Sequence, residues 1–79
     1  MNVRIKFFGE IQSLFPGYNR EEGLIVDIPE NMTAGGLLTH LKIPDNMGAI
    51  VSAESRLLKI SDELINDSEI MIMQPLHNG

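Results

Sequence analysis

One apolar stripe constrains this chain more than any other feature. Ala34, Leu37, Leu38 and Leu41 fall at i, i+3, i+4 and i+7, the spacing that puts side chains on one face of an amphipathic helix. Thr33 stands where the N-cap of such a helix belongs, and Pro44 closes the region. Gly35 and Gly36 weaken the first turn, by roughly 1 kcal/mol each relative to alanine. A single helical face must be buried against another layer, so the rest of the chain has to supply that layer.

The rest of the chain reads as strands. Val3, Ile5 and Phe7 alternate with Arg4, Lys6 and Phe8, and Leu24, Val26 and Ile28 alternate with Ile25 and Asp27. Both segments have the period of a half-buried strand, and Pro29 stops the second. Gly9 to Glu22 is polar and irregular, with Pro16-Gly17 as a turn signal and room for a short helical turn around Ile11 to Phe15. Ala49-Ile50-Val51 reads as a short buried strand and Leu57-Leu58 as another short extended piece. Asp62 to Asn66 reads as a turn or single helical turn around Leu64. Glu69 to Gln74 is the clearest late strand, ended by Pro75.

The first two strands can form a hairpin across the irregular loop, with the helix over one face of a mixed sheet. The expected class is therefore α+β, with four to five strands and one main helix. At 79 residues there is room for one domain, expected over residues 1–75. Leu76, His77, Asn78 and Gly79 are expected to form a flexible tail.

Composition removes several function classes. The chain has no cysteine, which excludes disulfides, thiolate zinc sites and cysteine-held iron–sulfur clusters. Its net charge is −5 and its six basic residues are scattered along the sequence, against a nucleic-acid binder. The start alternates instead of running apolar, which is unlike a signal peptide. No stretch reaches the length of a membrane span. A cytoplasmic setting fits these features.

Candidate chemistry is sparse. His40 and His77 are far apart in sequence, which gives no metal site. None of the serines lies in a Gly-x-Ser-x-Gly elbow. Asp62, Glu63, Asp67 and Glu69 flank a turn and read as a solvated cluster. Gly35-Gly36 belongs to no phosphate-binding motif. Stand-alone catalysis has no support in these residues, and no bound cofactor is expected.

Strand parity supplies a different kind of site. If Val3, Ile5 and Phe7 face the core, Phe8 faces away. If Ile70 and Ile72 face the core, Met71 and Met73 face away. Should the first and last strands be neighbours, Phe8, Met71 and Met73 would share one exposed face, as aromatic and methionine side chains do on partner surfaces.

Read together, these segments resemble the sulfur-carrier family that includes the small subunit of molybdopterin synthase and the thiamine-pathway carrier (MoaD/ThiS). Val3-Arg4-Ile5-Lys6-Phe7-Phe8 resembles that family's first strand. Ile28 to Thr33, followed by Leu37, Leu38 and Leu41, resembles its passage from strand to helix. Leu64 to Ile70 resembles its acidic turn into the last strand, and Met73 to Gly79 occupies the place of its glycine ending.

The resemblance implies a β-grasp, ubiquitin-like fold and a carrier that is not itself an enzyme. An E1-like adenylating enzyme would consume ATP to activate the carboxylate of Gly79, which then becomes a thiocarboxylate. A molybdopterin synthase large subunit, or a similar acceptor, would take the sulfur for molybdenum or tungsten cofactor synthesis. The tail Pro75, Leu76, His77 and Asn78 would carry Gly79 into the partner. Phe8, Leu57 and Met73 match the family's docking patch, which Met71 joins by parity.

The ending is Asn78-Gly79 where the family has Gly-Gly. That leaves open a ubiquitin-like binding module that no longer carries sulfur. The thiamine branch is a further alternative, although the long Gly9–Glu22 segment and the Phe7-Phe8 pair are more like the molybdopterin branch.

Overall fold

The first and last strands lie side by side, although most of the chain separates them. In the computed structural model, which describes residues 1–64 and 69–75, β1 (Asn2–Phe8) pairs in parallel with β5 (Glu69–Met73), with Arg4 opposite Glu69 and Phe8 opposite Met73. β2 (Leu24–Asp27) forms the expected antiparallel hairpin with β1. β3 (Ile50–Ala53) pairs antiparallel with β5, and β4 (Arg56–Leu58) pairs antiparallel with β3. The result is one mixed five-stranded sheet in the order β2-β1-β5-β3-β4.

The helix α1 (Ala34–His40) begins where expected. Thr33 has extended backbone angles and its hydroxyl oxygen accepts the Gly36 N–H at 3.0 Å, satisfying one of the otherwise free donors of the first turn. Ala34 and Leu37 are buried, while Leu38 and Leu41 pack at the margin of the core. The helix ends in a Schellman motif. The Ile43 N–H reaches the Leu38 carbonyl and the Lys42 N–H reaches that of Thr39, both at 3.0 Å. Lys42 takes the left-handed angle, with φ 60°, where glycine is usual.

Gly35 has a packing role. Its N–H donates to the Ile60 carbonyl at 2.9 Å, and a Cβ placed on it would sit 3.1 Å from both that oxygen and the Ile60 Cβ. The missing side chain lets the first turn of α1 approach the 60–62 segment. Ala34 also donates to the Asp62 carbonyl, and Leu64 donates to that of Met32. Leu64 is buried. Residues 62–64 form an isolated bridge at Glu63 with Thr33 and no helical turn; Asn66 lies outside the described residues.

The core lies between α1 and one face of the sheet. Ile5, Leu37, Ile70 and Ile72 are each 0% exposed, and burial of such a side chain contributes roughly 1.5–3 kcal/mol. The Gly9–Glu22 loop takes part more than its polarity suggested. Glu10–Leu14 is a short 3-10 helix that buries Ile11. Phe15 stacks on Phe7 with ring centres 4.3 Å apart, and Tyr18 meets the same ring edge-on at 5.1 Å. The Tyr18 hydroxyl accepts the Phe7 N–H at 2.9 Å, a donor that lies beyond the last residue pair between β1 and β2. No helix among the described residues is long and apolar enough to cross a membrane.

The β3–β4 turn departs from the preferred chemistry for its geometry. Ala53 pairs with Arg56, so the loop has two residues, Glu54 and Ser55, with φ 53° and 64°. Turns of this kind favour Asn-Gly because both residues are left-handed. Replacing Glu54→Asn and Ser55→Gly together is expected to stabilise the domain by about 1 kcal/mol. A shift of the urea midpoint to higher concentration, with unchanged slope, would show it.

Candidate functional site

The face of the sheet turned away from α1 follows directly from period-two alternation. Since Val3, Ile5 and Phe7 are buried against the helix layer, Asn2, Arg4, Lys6 and Phe8 project to the other side. β5 contributes Met71 and Met73 to that side, β3 contributes Ile50 and Ser52, and β4 contributes Leu57.

Register groups these side chains into two rows. One runs Lys6, Met71, Ser52, Leu57 across four strands, and the next runs Phe8, Met73, Ile50 across three. Directly opposed side chains in neighbouring strands are near enough to touch. The structure therefore brings together all four residues singled out in the sequence: Phe8, Leu57, Met71 and Met73. Phe8 is 46% exposed and Leu57 68% exposed, while both methionines are half-buried. Phe8 and Leu57 stand at opposite ends of this group, and Met71, Met73 and Ile50 lie between them on β5 and β3, so the apolar side chains are grouped on one face.

Three more side chains shape this face without having been singled out in the sequence: Ile25, exposed opposite Arg4, and two on β3. Ile50 sits opposite Met73, and Ser52 lies between Met71 and Leu57. The run Ala49-Ile50-Val51 hid their parity, because three consecutive apolar residues mask an alternation. The following Ser52-Ala53 carries the signal, since Val51 and Ala53 are the core-facing pair. Ser52 is buried and its hydroxyl has no hydrogen-bond partner among the described residues.

Of the expected tail residues, Pro75 alone falls within the described residues. Pro75 is exposed and follows Gln74, whose N–H donates to the Phe8 carbonyl at 3.2 Å. β5 thus delivers the chain to Pro75 from the end of the sheet where Phe8 and Met73 stand. Leu76, His77, Asn78 and Gly79 lie outside the described residues. Of the acidic cluster, Asp62 receives the Lys59 N–H on its carboxylate at 2.8 Å, a turn contact. His40 is exposed on α1.

Comparison with solved structures identifies the architecture. The chain superposes on SAMP1 from Haloferax volcanii with a TM-score of 0.74, at 13% identity and over 100% of both chains. A second structure, H. volcanii small archaeal modifier protein 1, matches with a TM-score of 0.73 at 13% identity, over 95% of this chain and 98% of that one. This likeness shows the fold, a β-grasp, ubiquitin-like domain. No family model matches the sequence, and no curated protein matches it.

The site makes a contrast between neighbours in sequence that stability measurements can read. Phe7→Ala is expected to cost about 3–5 kcal/mol, as for other buried aromatics. Phe8→Ala, on the open face, is expected to cost less than about 1 kcal/mol. Comparable losses at the two positions in urea unfolding would contradict the assigned parity.

Proposed function

We propose that this β-grasp domain is a ubiquitin-like sulfur carrier. The single observation that carries the reading is the placement of the apolar patch at the mouth of the tail. Phe8, Met73 and Ile50 form the row nearest the point where β5 hands the chain to Pro75. A partner seated on Phe8, Leu57, Met71 and Met73 would receive the following residues in its own active site. The ubiquitin-like fold and the resemblance of the sequence to the sulfur carriers support the same reading.

In this reading the domain contributes binding and delivery, and the partners contribute the chemistry. A carboxylate is a poor electrophile. An E1-like enzyme joins the Gly79 carboxylate to the AMP portion of ATP, with release of pyrophosphate. A sulfur donor then displaces AMP, and reduction of the sulfur linkage by a thiol leaves the thiocarboxylate. Glycine at the end lets the chain enter a narrow site, since it has no side chain and few backbone restrictions. The acceptor is a molybdopterin synthase large subunit or a similar enzyme.

Asn78 favours a second reading, a ubiquitin-like binding module without sulfur transfer, because it places a polar side chain where the carriers have glycine. The two readings separate in one experiment. The chain is incubated with its E1-like enzyme, ATP and a sulfur donor, and its intact mass is recorded. A carrier gains the mass of one oxygen-for-sulfur exchange at Gly79, and deletion of Gly79 abolishes the gain while partner binding remains. Asn78→Gly is expected to speed the exchange. No exchange in either the wild type or Asn78→Gly would sink the carrier reading and leave the binding module.

A further inference from the structure

We infer that the cleft beside Phe8 is the charged half of the docking face and selects a protein partner that presents a carboxylate next to its apolar contact. The inference rests on the docking face proposed above and adds to it the chemistry of the partner.

The cleft has a volume of about 410 Å³ and is lined by Lys6, Phe7, Phe8, Tyr18, Arg20 and Glu21. It opens where β2 stops. β2 follows β1 only as far as Leu24 opposite Ile5, so beyond Ile5 the far wall is built by the loop that carries Tyr18 and Arg20. That loop is fixed at several points. Tyr18 accepts the Phe7 N–H, Asn19 accepts the N–H groups of Glu21 and Glu22 on its side-chain oxygen, and the Gly23 N–H reaches the Asn19 carbonyl at 2.7 Å. The backbone on either side of Arg20 is therefore held before any partner arrives, which lowers the ordering cost of binding.

Charge points to the occupant. The chain carries a net −5 with only six basic residues, yet two of them line this one cleft. Among the described residues the one ion pair joins the N-terminal ammonium to Asp27, so within that set neither Lys6 nor Arg20 is ion-paired, and their two charges outnumber that of Glu21 in the cleft lining. An acidic group on an approaching surface is repelled by most of this molecule and attracted here, which orients the encounter.

The apolar setting decides between a protein and a small anion. Phe8 is shared by the cleft and the patch, so a carboxylate placed between Lys6 and Arg20 lies beside apolar contacts that a free anion cannot make.

The test measures association of the full chain with its E1-like adenylating enzyme over a range of salt. Lys6→Glu with Arg20→Glu is expected to lower kon about tenfold at low ionic strength and to flatten its salt dependence, with koff within about twofold of wild type. Lys6→Gln with Arg20→Gln, which adds no repulsion, is expected to fall between. Phe8→Ala is expected to raise koff instead. Unchanged kon and salt slope in both charge variants, with Phe8→Ala still weakening the complex, would overturn the cleft inference and leave the docking face standing. No binding by wild type would overturn both. Saturable binding of inorganic phosphate by the free chain, with NMR shifts confined to Lys6 and Arg20, would assign the cleft to a small anion and also overturn it.

Discussion

The parallel ladder between β1 and β5 joins Arg4 to Glu69 and Phe8 to Met73, and the remaining elements are arranged around it. Parallel neighbours cannot be connected by a tight turn. The intervening chain must therefore cross from one end of the sheet to the other, and it places α1 over one face on the way. Both strands of this ladder are interior to the sheet. Their core-facing residues, Ile5, Ile70 and Ile72, are completely buried. A slip of one residue in either strand would turn Phe8 or Met71 inward and expose an isoleucine or a phenylalanine. The register that closes the core is thus the same register that assembles the patch on the other face.

Local features were legible in the sequence because local rules determine them. The α1 stripe, the Thr33 cap and the alternation of β1, β2 and β5 each depend on residues within a turn or two of one another. So did the separation of Phe7 from Phe8, which needs only strand parity. The pairing of β1 with β5 is different in kind. It follows from a loop closure over most of the chain, and no neighbouring residues encode it. The sequence supported it as a condition, through two strands with matching apolar faces, and the resemblance to the sulfur carriers implied the fold that contains it.

What stayed hidden was hidden for identifiable reasons. The β3–β4 turn is made by Glu54 and Ser55, neither of which signals a left-handed turn, so the two strands were read as disconnected extended pieces. Lys42 occupies a helix C-terminal position where glycine would have announced itself. Gly35 looked like a defect in α1 because propensity counts only the helix. Its role is a close approach to Ile60, visible once the 60–62 segment is in place. The polarity of the Gly9–Glu22 segment allows a short helical turn around Ile11 to Phe15 but does not reveal that Ile11 is buried and that Phe15 and Tyr18 pack on Phe7.

A domain with one sheet and one helix can cover only one face of that sheet. The other face is left open, and its side chains are not those of a uniformly polar surface. A face selected only for solubility would carry charge and short polar groups throughout. On this face charge stands at Arg4, Lys6, Asp27 and Glu69, with Ile25 exposed opposite Arg4, while Phe8, Met71, Met73, Ile50 and Leu57 belong to the two rows toward Pro75. Ser52 sharpens the point. Its hydroxyl is buried beneath this face with no hydrogen-bond partner among the described residues, an arrangement that costs stability. The apolar end of the open face coincides with the end of β5, where Gln74 donates to the Phe8 carbonyl and the chain passes to Pro75, so the rows of Phe8 and Met73 stand beside the point at which the sheet releases the chain.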